Sequence, residues 1–354
     1  MKRYRAEIFD KDYNFYGGYS IANDQTLIND YCVLDQSTIT IPKKVIVTRG
    51  NYVLVKDTSS VIYQGIVTDY SYSEKQTAIT MQPLMEILDT SWIMDASLLD
   101  SMSIEAWMDK YIKEIFNGAD TYQNLTGLTV THSTATSGSI ETVASDSIYN
   151  LYDLALQFFR VYGLVFDFNL DISKKKFEIS MRLIDGNSVW KLETDLADVV
   201  DYSITAANST DKPNKITYVD TADSTNRLTY YWHETDFAGT IDTDLTTNRS
   251  VPVYSTVKTA TATADQTFAQ VAYADAYQSM YRDRYSDLIE IKYKSDSRVV
   301  DVGKIGQLYQ IIDGDFKYNT VLTAYQRLND KQCQLTFGLV RLKLTQILKL
   351  DRRK

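Results

Sequence analysis

The chain has 354 residues, a formal net charge of −9, 44% apolar residues and 23% charged residues. That length allows two or three domains, each with its own core, and the balance excludes a disordered or fibrous class. An acidic chain repels a phosphate backbone, and the one basic cluster, Arg352-Arg353-Lys354 after Lys343 and Lys349, reads as a solvated tail, so direct nucleic-acid recognition is not expected.

From Tyr4 to Leu88 the pattern is one of short strands. Ile39–Ile41 and Val45–Val47 flank Pro42, followed by Tyr52–Val55, Val61–Tyr63 running into Gly65–Val67, and Ala78–Met81. Asp57-Thr-Ser-Ser60 is the expected tip of a hairpin. A helix is predicted after Ser103, with apolar residues at Ile104, Trp107, Met108, Tyr111, Ile112, Ile115 and Phe116, and Gly118 at its end. A second helix is predicted over 147–162, with Ile148, Leu151, Ala155, Phe158, Phe159 and Tyr162 on one stripe. Between them, 129–145 reads as a loop with one strand.

Leu164–Leu170 and Lys176–Leu183 alternate and should form a hairpin through Ser173-Lys174-Lys175. Further strands are expected at 199–205, 214–220 and 228–233, and 234–265 reads as a surface excursion rich in Thr and Asp. A third helix over 265–285 carries an aromatic stripe at Tyr277, Tyr281 and Tyr285. Strands resume at 288–293, 299–302 and 308–312. The expected class is therefore α+β, mainly β, with two small antiparallel β-barrel-like domains around a helix-containing α/β middle domain. The boundaries expected are 1–88, 89–198, 199–340 with an inserted segment at about 221–287, and a tail at 341–354.

The two outer modules echo each other. Gly65-Ile-Val-Thr68-Asp-Tyr70 followed by Lys75-Gln-Thr-Ala-Ile79-Thr80-Met81 returns as Thr320-Val-Leu-Thr323-Ala-Tyr325 followed by Lys331-Gln-Cys-Gln-Leu335-Thr336-Phe337. Two related β modules satisfy this pattern, and so do two unrelated half-buried hairpins, because alternation forces apolar residues into register.

Gly65-Ile-Val67 with the Met81-Gln-Pro83-Leu84 exit, Phe158-x4-Gly163-Leu-x-Phe166, and the closing Phe337-Gly-Leu-Val-Arg341 occur in an order that touches most of the chain. In these the chain resembles baseplate or tail-hub proteins of tailed bacteriophages and prophages, nearest the prophage tail protein family of phages infecting Gram-positive hosts. The resemblance implies a hub subunit with two β-barrel domains, three copies of which ring the distal end of the tail tube and match a threefold tip to a sixfold tube. It also implies a location at the virion tail tip and partners among the distal tail, tail-tube and tape-measure proteins. Some family members carry a lytic domain after the hub. Since this chain ends soon after Arg341, none is expected.

Tyrosine, at 27 residues, suits both strand faces and subunit interfaces. The expected homo-oligomer contacts are Tyr70, Tyr72, Tyr325, Tyr277, Tyr281, Tyr285 and Arg341. Catalysis is not expected, because His132 and His233 are the only histidines and neither has a motif around it. Cys32 and Cys333 fit neither a disulfide framework nor a metal motif. Asp167 with Asp171, or Asp242 with Asp244, could be drawn as a carboxylate pair, but solvated acidic loops explain them as well. Gly303-Lys-Ile-Gly306 lies between strands and reads as a β-turn. No cofactor, signal peptide or transmembrane helix is expected. A receptor- or carbohydrate-binding tail protein, or a tail-associated endopeptidase, are the alternative readings.

Overall fold

The computed structural model describes residues 4–22, 25–57, 60–138, 146–186, 188–205, 213–234, 239–243, 255–263, 267–280, 287–294, 304–328 and 331–338. The N-terminal part folds as β1 (Arg5–Phe9), β2 (Phe15–Ser20), β3 (Thr26–Asp30), β4 (Ser37–Ile41), β5 (Tyr52–Lys56), β6 (Val61–Tyr72) and β7 (Thr77–Pro83). The middle carries β8 (Ser91–Asp95), α1 (Ile104–Phe116), β9 (Leu128–His132), β10 (Asp146–Asn150), α2 (Leu151–Tyr162), β11 (Leu164–Asp171) and β12 (Lys176–Leu183). The remainder carries β13 (Val189–Glu193), β14 (Val199–Thr205), β15 (Lys215–Asp220), β16 (Arg227–Glu234), β17 (Gly239–Asp242), β18 (Ser255–Ala260), α3 (Phe268–Met280), β19 (Leu288–Lys294), β20 (Leu308–Asp313), β21 (Phe316–Leu328) and β22 (Gln332–Phe337). The class is α+β and mainly β, as the patterning predicts.

The echo in sequence is an echo in register. In the hairpin β6–β7, Val67 faces Met81 and Asp69 faces Thr80, so Thr68 is a bulge. In β21–β22, Leu322 faces Phe337 and Ala324 faces Thr336, so Thr323 is a bulge at the matching position. Both bulged threonines turn a hydroxyl to the partner strand. Thr68 Oγ1 donates to the Thr80 carbonyl at 3.4 Å, and Thr323 Oγ1 donates to the Thr336 carbonyl at 3.2 Å and to Gly338 at 2.8 Å. A bulge leaves ladder groups unpaired, and the hydroxyl supplies the missing partner.

The likeness extends past the hairpins into a turn whose sequence shares little but glycine. Gly50 N–H bonds the Val67 carbonyl at 2.9 Å, and Gly306 N–H bonds the Leu322 carbonyl at 2.8 Å. Their φ angles of 83° and 77° lie in the left-handed region that glycine adopts without strain. The expected turn at 303–306 is thus observed from Lys304 onward, with Gln307 N–H closing on Lys304 at 3.0 Å; Gly303 lies outside the described residues. Strand order is also shared: β5-β6-β7-β4-β3 in one half and β20-β21-β22-β19-β14 in the other. The strands flanking these sets differ, since β1 runs antiparallel to β5 whereas β13 runs parallel to β20.

One strand joins the two halves. The pairing of β3 with β21, from Ala324 opposite Asp30 to Leu328 opposite Thr26, makes a single curled sheet of 13 strands. Each half encloses its own apolar cluster, one around Ile8, Ile39, Val53 and Ile79 and the other around Ile291, Tyr309, Leu335 and Phe337.

The middle segment supplies the largest core. Helix α1 starts where Ser103 Oγ accepts from Ala106 N–H, and it buries Trp107, Met108, Tyr111, Ile112 and Ile115. Gly163, in the left-handed conformation, ends α2. The hairpin β11–β12 forms as expected, with β9 added parallel to β12. A separate four-stranded sheet, β17-β16-β15-β18, is covered by α3.

Three local expectations are corrected. The second helix begins at Leu151, because Asn150 Oδ1 accepts from the N–H groups of Tyr152 and Asp153 and fixes the start there. Residues 146–150 are instead a strand against β8, and Ile148 is exposed. The 45–47 segment is not a strand, since the Thr77 hydroxyl takes the place of a ladder, bonding Val45 N–H and the Lys43 carbonyl. The span 234–265 contributes β17 and β18. In addition, α3 buries Phe268, Ala272, Ala276 and Met280 at four-residue steps against Tyr218, Tyr230 and Trp232 on the sheet beneath, where small helix residues make room, while the side chains of the expected aromatic stripe, Tyr277, Tyr281 and Tyr285, lie outside the described residues.

The paired turns allow a controlled comparison. Ala at Gly50 or Gly306 incurs a left-handed strain of about 1 kcal/mol. Only at Gly306 does the added Cβ also meet another side chain, Val165 Cγ2 at 2.6 Å, while nothing lies within 4 Å at Gly50. Urea unfolding should therefore show G306A less stable than G50A, by about 1–3 kcal/mol from overpacking.

Candidate interaction site

The residue after the joining strand ties three parts of the molecule together. Tyr31 N–H donates to the carbonyl of the bulged Thr323 at 2.9 Å. Its own carbonyl accepts from the Tyr152 hydroxyl on α2 at 3.2 Å, and its hydroxyl accepts from Phe166 N–H on β11 at 3.1 Å. The ring packs 4.7 Å from Phe159. Burial is the main cause that pushes the Tyr31 hydroxyl far above its ordinary value. Nearby, the Gln64 amide on β6 bonds both the Leu170 N–H and the Asn169 side chain on β11. Between these anchors lies an open cleft of about 690 Å³, walled by Asn29, Gln64, Asp167, Lys304, Tyr325 and Arg327.

Arg327 is buried in this seam at 2% exposure. Its guanidinium lies 5.4 Å over the Tyr325 ring and donates to the Tyr4 hydroxyl at 3.4 Å. Burial raises the Tyr4 hydroxyl, an effect the Arg327 charge partly offsets. Sequence reasoning missed Tyr31 and Arg327. For Arg327 a signal existed: two residues after Tyr325, alternation puts a charge on a face otherwise apolar.

Chemistry-bearing residues are scattered. His132 is exposed at the end of β9, and His233 is buried in β16 of a different sheet. Cys32 and Cys333 form no disulfide and are buried in separate cores. No cluster of three His, Cys, Asp or Glu side chains occurs among the described residues. Asp167 is occupied by Arg182, and Asp171 accepts from Ser173 and Lys174, which hold its carboxyl well below the usual range. The Asp242 side chain and Asp244 lie outside the described residues. Tyr218, Lys258 and Ser279 converge on Asp275, and Lys258 donates to both Asp275 and Ser279.

Of the predicted contact residues, Tyr70 and Tyr72 stack at 5.3 Å on the distal part of β6. Tyr70 is half-buried, while Tyr72 is 43% exposed with its hydroxyl on the Val47 carbonyl. Tyr325 is half-buried beside Arg327. Tyr277 lies in α3, and its side chain, together with Tyr281, Tyr285 and Arg341, falls outside the described residues.

Two carboxyl groups are perturbed in opposite directions. Glu105 is fully buried at the start of α1, and although burial raises it, bonds from the Thr134 hydroxyl and from the Thr136 N–H and hydroxyl, each 2.7 Å, lower it overall. Glu86 sits in the 3₁₀ turn that leaves β7. Burial first, then the Asp89 charge, pushes it up to about 7, and its Oε2 has no partner among the described residues.

No family model and no curated protein matches the sequence. Solved structures do match. The 43 kDa tail protein of prophage MuSo2 from Shewanella oneidensis superposes with a TM-score of 0.54 at 10% identity, over 95% of this chain and 97% of that one. The tail protein from Neisseria meningitidis gives 0.52 at 11% identity, over 95% and 96%. A Francisella PdpA–VgrG complex gives 0.50 at 11% identity, over 97% of this chain and 53% of that one. At such identities the likeness is one of fold: the chain has the fold of these tail proteins along nearly its whole length.

Tyr31→Phe strands the buried Phe166 N–H and should lower stability by about 1–3 kcal/mol, more than Tyr152→Phe, when urea midpoints are compared. The two carboxyls should show opposite pH behaviour. Glu105 is depressed, so its contribution is present above the unfolded carboxyl value and lost as pH falls through the folded one. Glu86 is raised, so the stability it lends is present below the unfolded value and lost as pH climbs to about 7. Glu105→Gln should lower the urea midpoint at pH 7 and approach wild type in acid, whereas Glu86→Gln should raise it at pH 8 and leave it unchanged at pH 4.

Proposed function

We propose that the chain is a structural tail-hub or baseplate protein of a bacteriophage or prophage, working as a ring of three copies at the distal end of the tail tube. The observation that carries this reading is the internal repeat: two units of matched register and strand order, fused into one sheet. Three such chains present six like units, which lets a threefold tip seat on a sixfold tube. The fold shared with prophage tail proteins supports it. The work is mechanical, namely adapting symmetry and closing the tube until host contact, with the distal tail, tube and tape-measure proteins as neighbours.

In this reading 1–88 and 199–340 are the ring-forming units, 89–198 the helix-bearing unit, about 221–287 an insertion and 341–354 a tail. One apolar cluster lies wholly within 1–88 and another mostly within 199–340, while the largest, around α1 and α2, also takes in Phe9, Tyr31, Leu308 and Val321 from the outer units. Tyr72 and its neighbour Tyr70 lie on ring-facing edges, as do, by the same proposal, Tyr277, Tyr281, Tyr285, Tyr325 and Arg341. Fold alone does not choose the host: the two tail proteins above come from Neisseria and Shewanella, whereas the sequence resemblance is to phages of Gram-positive hosts.

Sedimentation of the purified chain over a range of concentrations should reveal a species of three times 40.5 kDa, and antibodies should label virions at the tail tip. A monomer at every concentration, with antibody label on peripheral fibres, would instead favour a receptor-binding protein.

A further inference from the structure

The internal repeat predicts which edges meet between copies. Strand β21 is used twice along its length: Phe316–Val321 pairs with β20, and past the Thr323 bulge Ala324–Leu328 pairs with β3. Its counterpart β6 is used only once. Val61–Ile66 pairs with β5, and past the Thr68 bulge the outer edge of Asp69–Tyr72 has no backbone partner among the described residues. Conversely, β3 is paired on both sides, by β4 and β21, while among the described residues its counterpart β14 is paired by β19 alone and ends the sheet. Each half of one joint is therefore present in duplicate, and one copy of each is open.

We propose that β14 of one copy adds as an antiparallel strand to the end of β6 in the next copy, with Ser71 and Tyr72 opposite Thr205 and Ile204, repeating between chains the joint that β3 and β21 make within each chain. This rests on the ring reading and names its contact. The register follows from the equivalences. Thr26 stands opposite Thr38 and Ser203 opposite Glu290, and both of those face the matched threonines Thr80 and Thr336, so Thr26 corresponds to Ser203 and Leu27 to Ile204. Tyr72 corresponds to Arg327, since they face Thr77 and Cys333. Arg327 faces Leu27 within the chain. Tyr72 then faces Ile204 of the next copy, and Ser71 faces its Thr205.

Exposure agrees with a missing cover. Leu27 and Arg327, inside the formed joint, are each 2% exposed, whereas Tyr72 is 43% exposed and Ile204 on β14 is half-buried. The two ends of the sheet are also treated differently. At the β2 edge, Gly17 and Gly18 replace side chains, a bulge interrupts the pairing at Ile8/Phe9, and Arg5 lies over Gly18. Such devices blunt an edge against pairing. β14 has a bulge of its own between Val199 and Asp201, but from Asp201 to Thr205 it is regular, and it carries neither proline nor lysine. A head-to-tail contact of two different edges closes into a ring when the rotation permits.

Cysteine pairs test the joint directly. Opposed residues of an antiparallel pair have Cα atoms about 4.5–5.5 Å apart, within disulfide reach. Tyr72→Cys with Ile204→Cys, and separately Ser71→Cys with Thr205→Cys, are oxidised with copper-phenanthroline in the full chain, the native cysteines being buried. Most of the protein should shift on a non-reducing gel to two and three times the monomer mass and return on reduction. The surface pair Ser71/Thr205 guards against misfolding at Ile204. Tyr72→Cys with Phe316→Cys, which places one thiol on a distant exposed hairpin tip, should give no ladder.

A wild-type trimer in which neither pair cross-links overturns the joint and leaves the ring reading standing. A monomer that never cross-links overturns both. Cross-links confined within one chain, or an equal ladder from the Phe316 control, also contradict the joint.

Discussion

The fold depends on five residue pairs between β3 and β21. Without that antiparallel contact the N-terminal and C-terminal halves are two sheets with two exposed edges each; with it they are one sheet with a fixed offset between like units. Main-chain pairing suits this role because its geometry is set by the backbone, so the offset is specified even though the side chains on the two strands share little. Tyr31 braces the joint, since its N–H bonds the C-terminal half while its carbonyl and hydroxyl both bond the middle segment.

What the halves keep in common is also what the backbone requires. A glycine turn leads into the first strand, a bulge bends the second, and a threonine hydroxyl satisfies the carbonyl exposed by that bend. The bulge matters most, because it lets one long strand serve two neighbours: one before the bend and another after it. What the halves do not share is equally physical. Position 72 is an exposed tyrosine and position 327 a buried arginine, since one edge is open in the isolated chain and the other is already covered.

Much of this was legible in the sequence where local chemistry decides the outcome. The α1 helix is written in Ser103 and its apolar stripe, and the hairpin register in alternation around Thr68 and Thr323. Legibility failed where a distant partner decides. Ile148 fits a helical stripe by spacing, but Asn150 caps the helix two residues later. The buried face of α3, Phe268 with Ala272, Ala276 and Met280, was not read because the aromatic bulk it meets belongs to β15 and β16. The turn equivalence of Gly50 and Gly306 is hidden, as the residues around them, Arg49 and Asn51 against Ile305 and Gln307, have no side-chain demand in common. The matching of β3 with β14 exists only in the pairing pattern, because Thr26-Leu27 and Ser203-Ile204 carry no recognisable motif. Of the candidate contacts, Tyr72 was found as an exposed ring near the echo, whereas Tyr31 and Arg327 act through burial, which composition does not reveal.

A duplicated unit fused by a strand is a natural building block for a tube end, because the spacing between units inside a chain can be reproduced between chains. The central claim is that the same strand contact is used in both places. Amide hydrogen exchange on the isolated chain and on the assembled ring tests it most directly. Slowed exchange on assembly at Ser71–Tyr72 and Ile204–Thr205, with Val61–Ile66 unchanged, is the predicted result. Equal exchange at those two edges in a ring that is demonstrably assembled would contradict it.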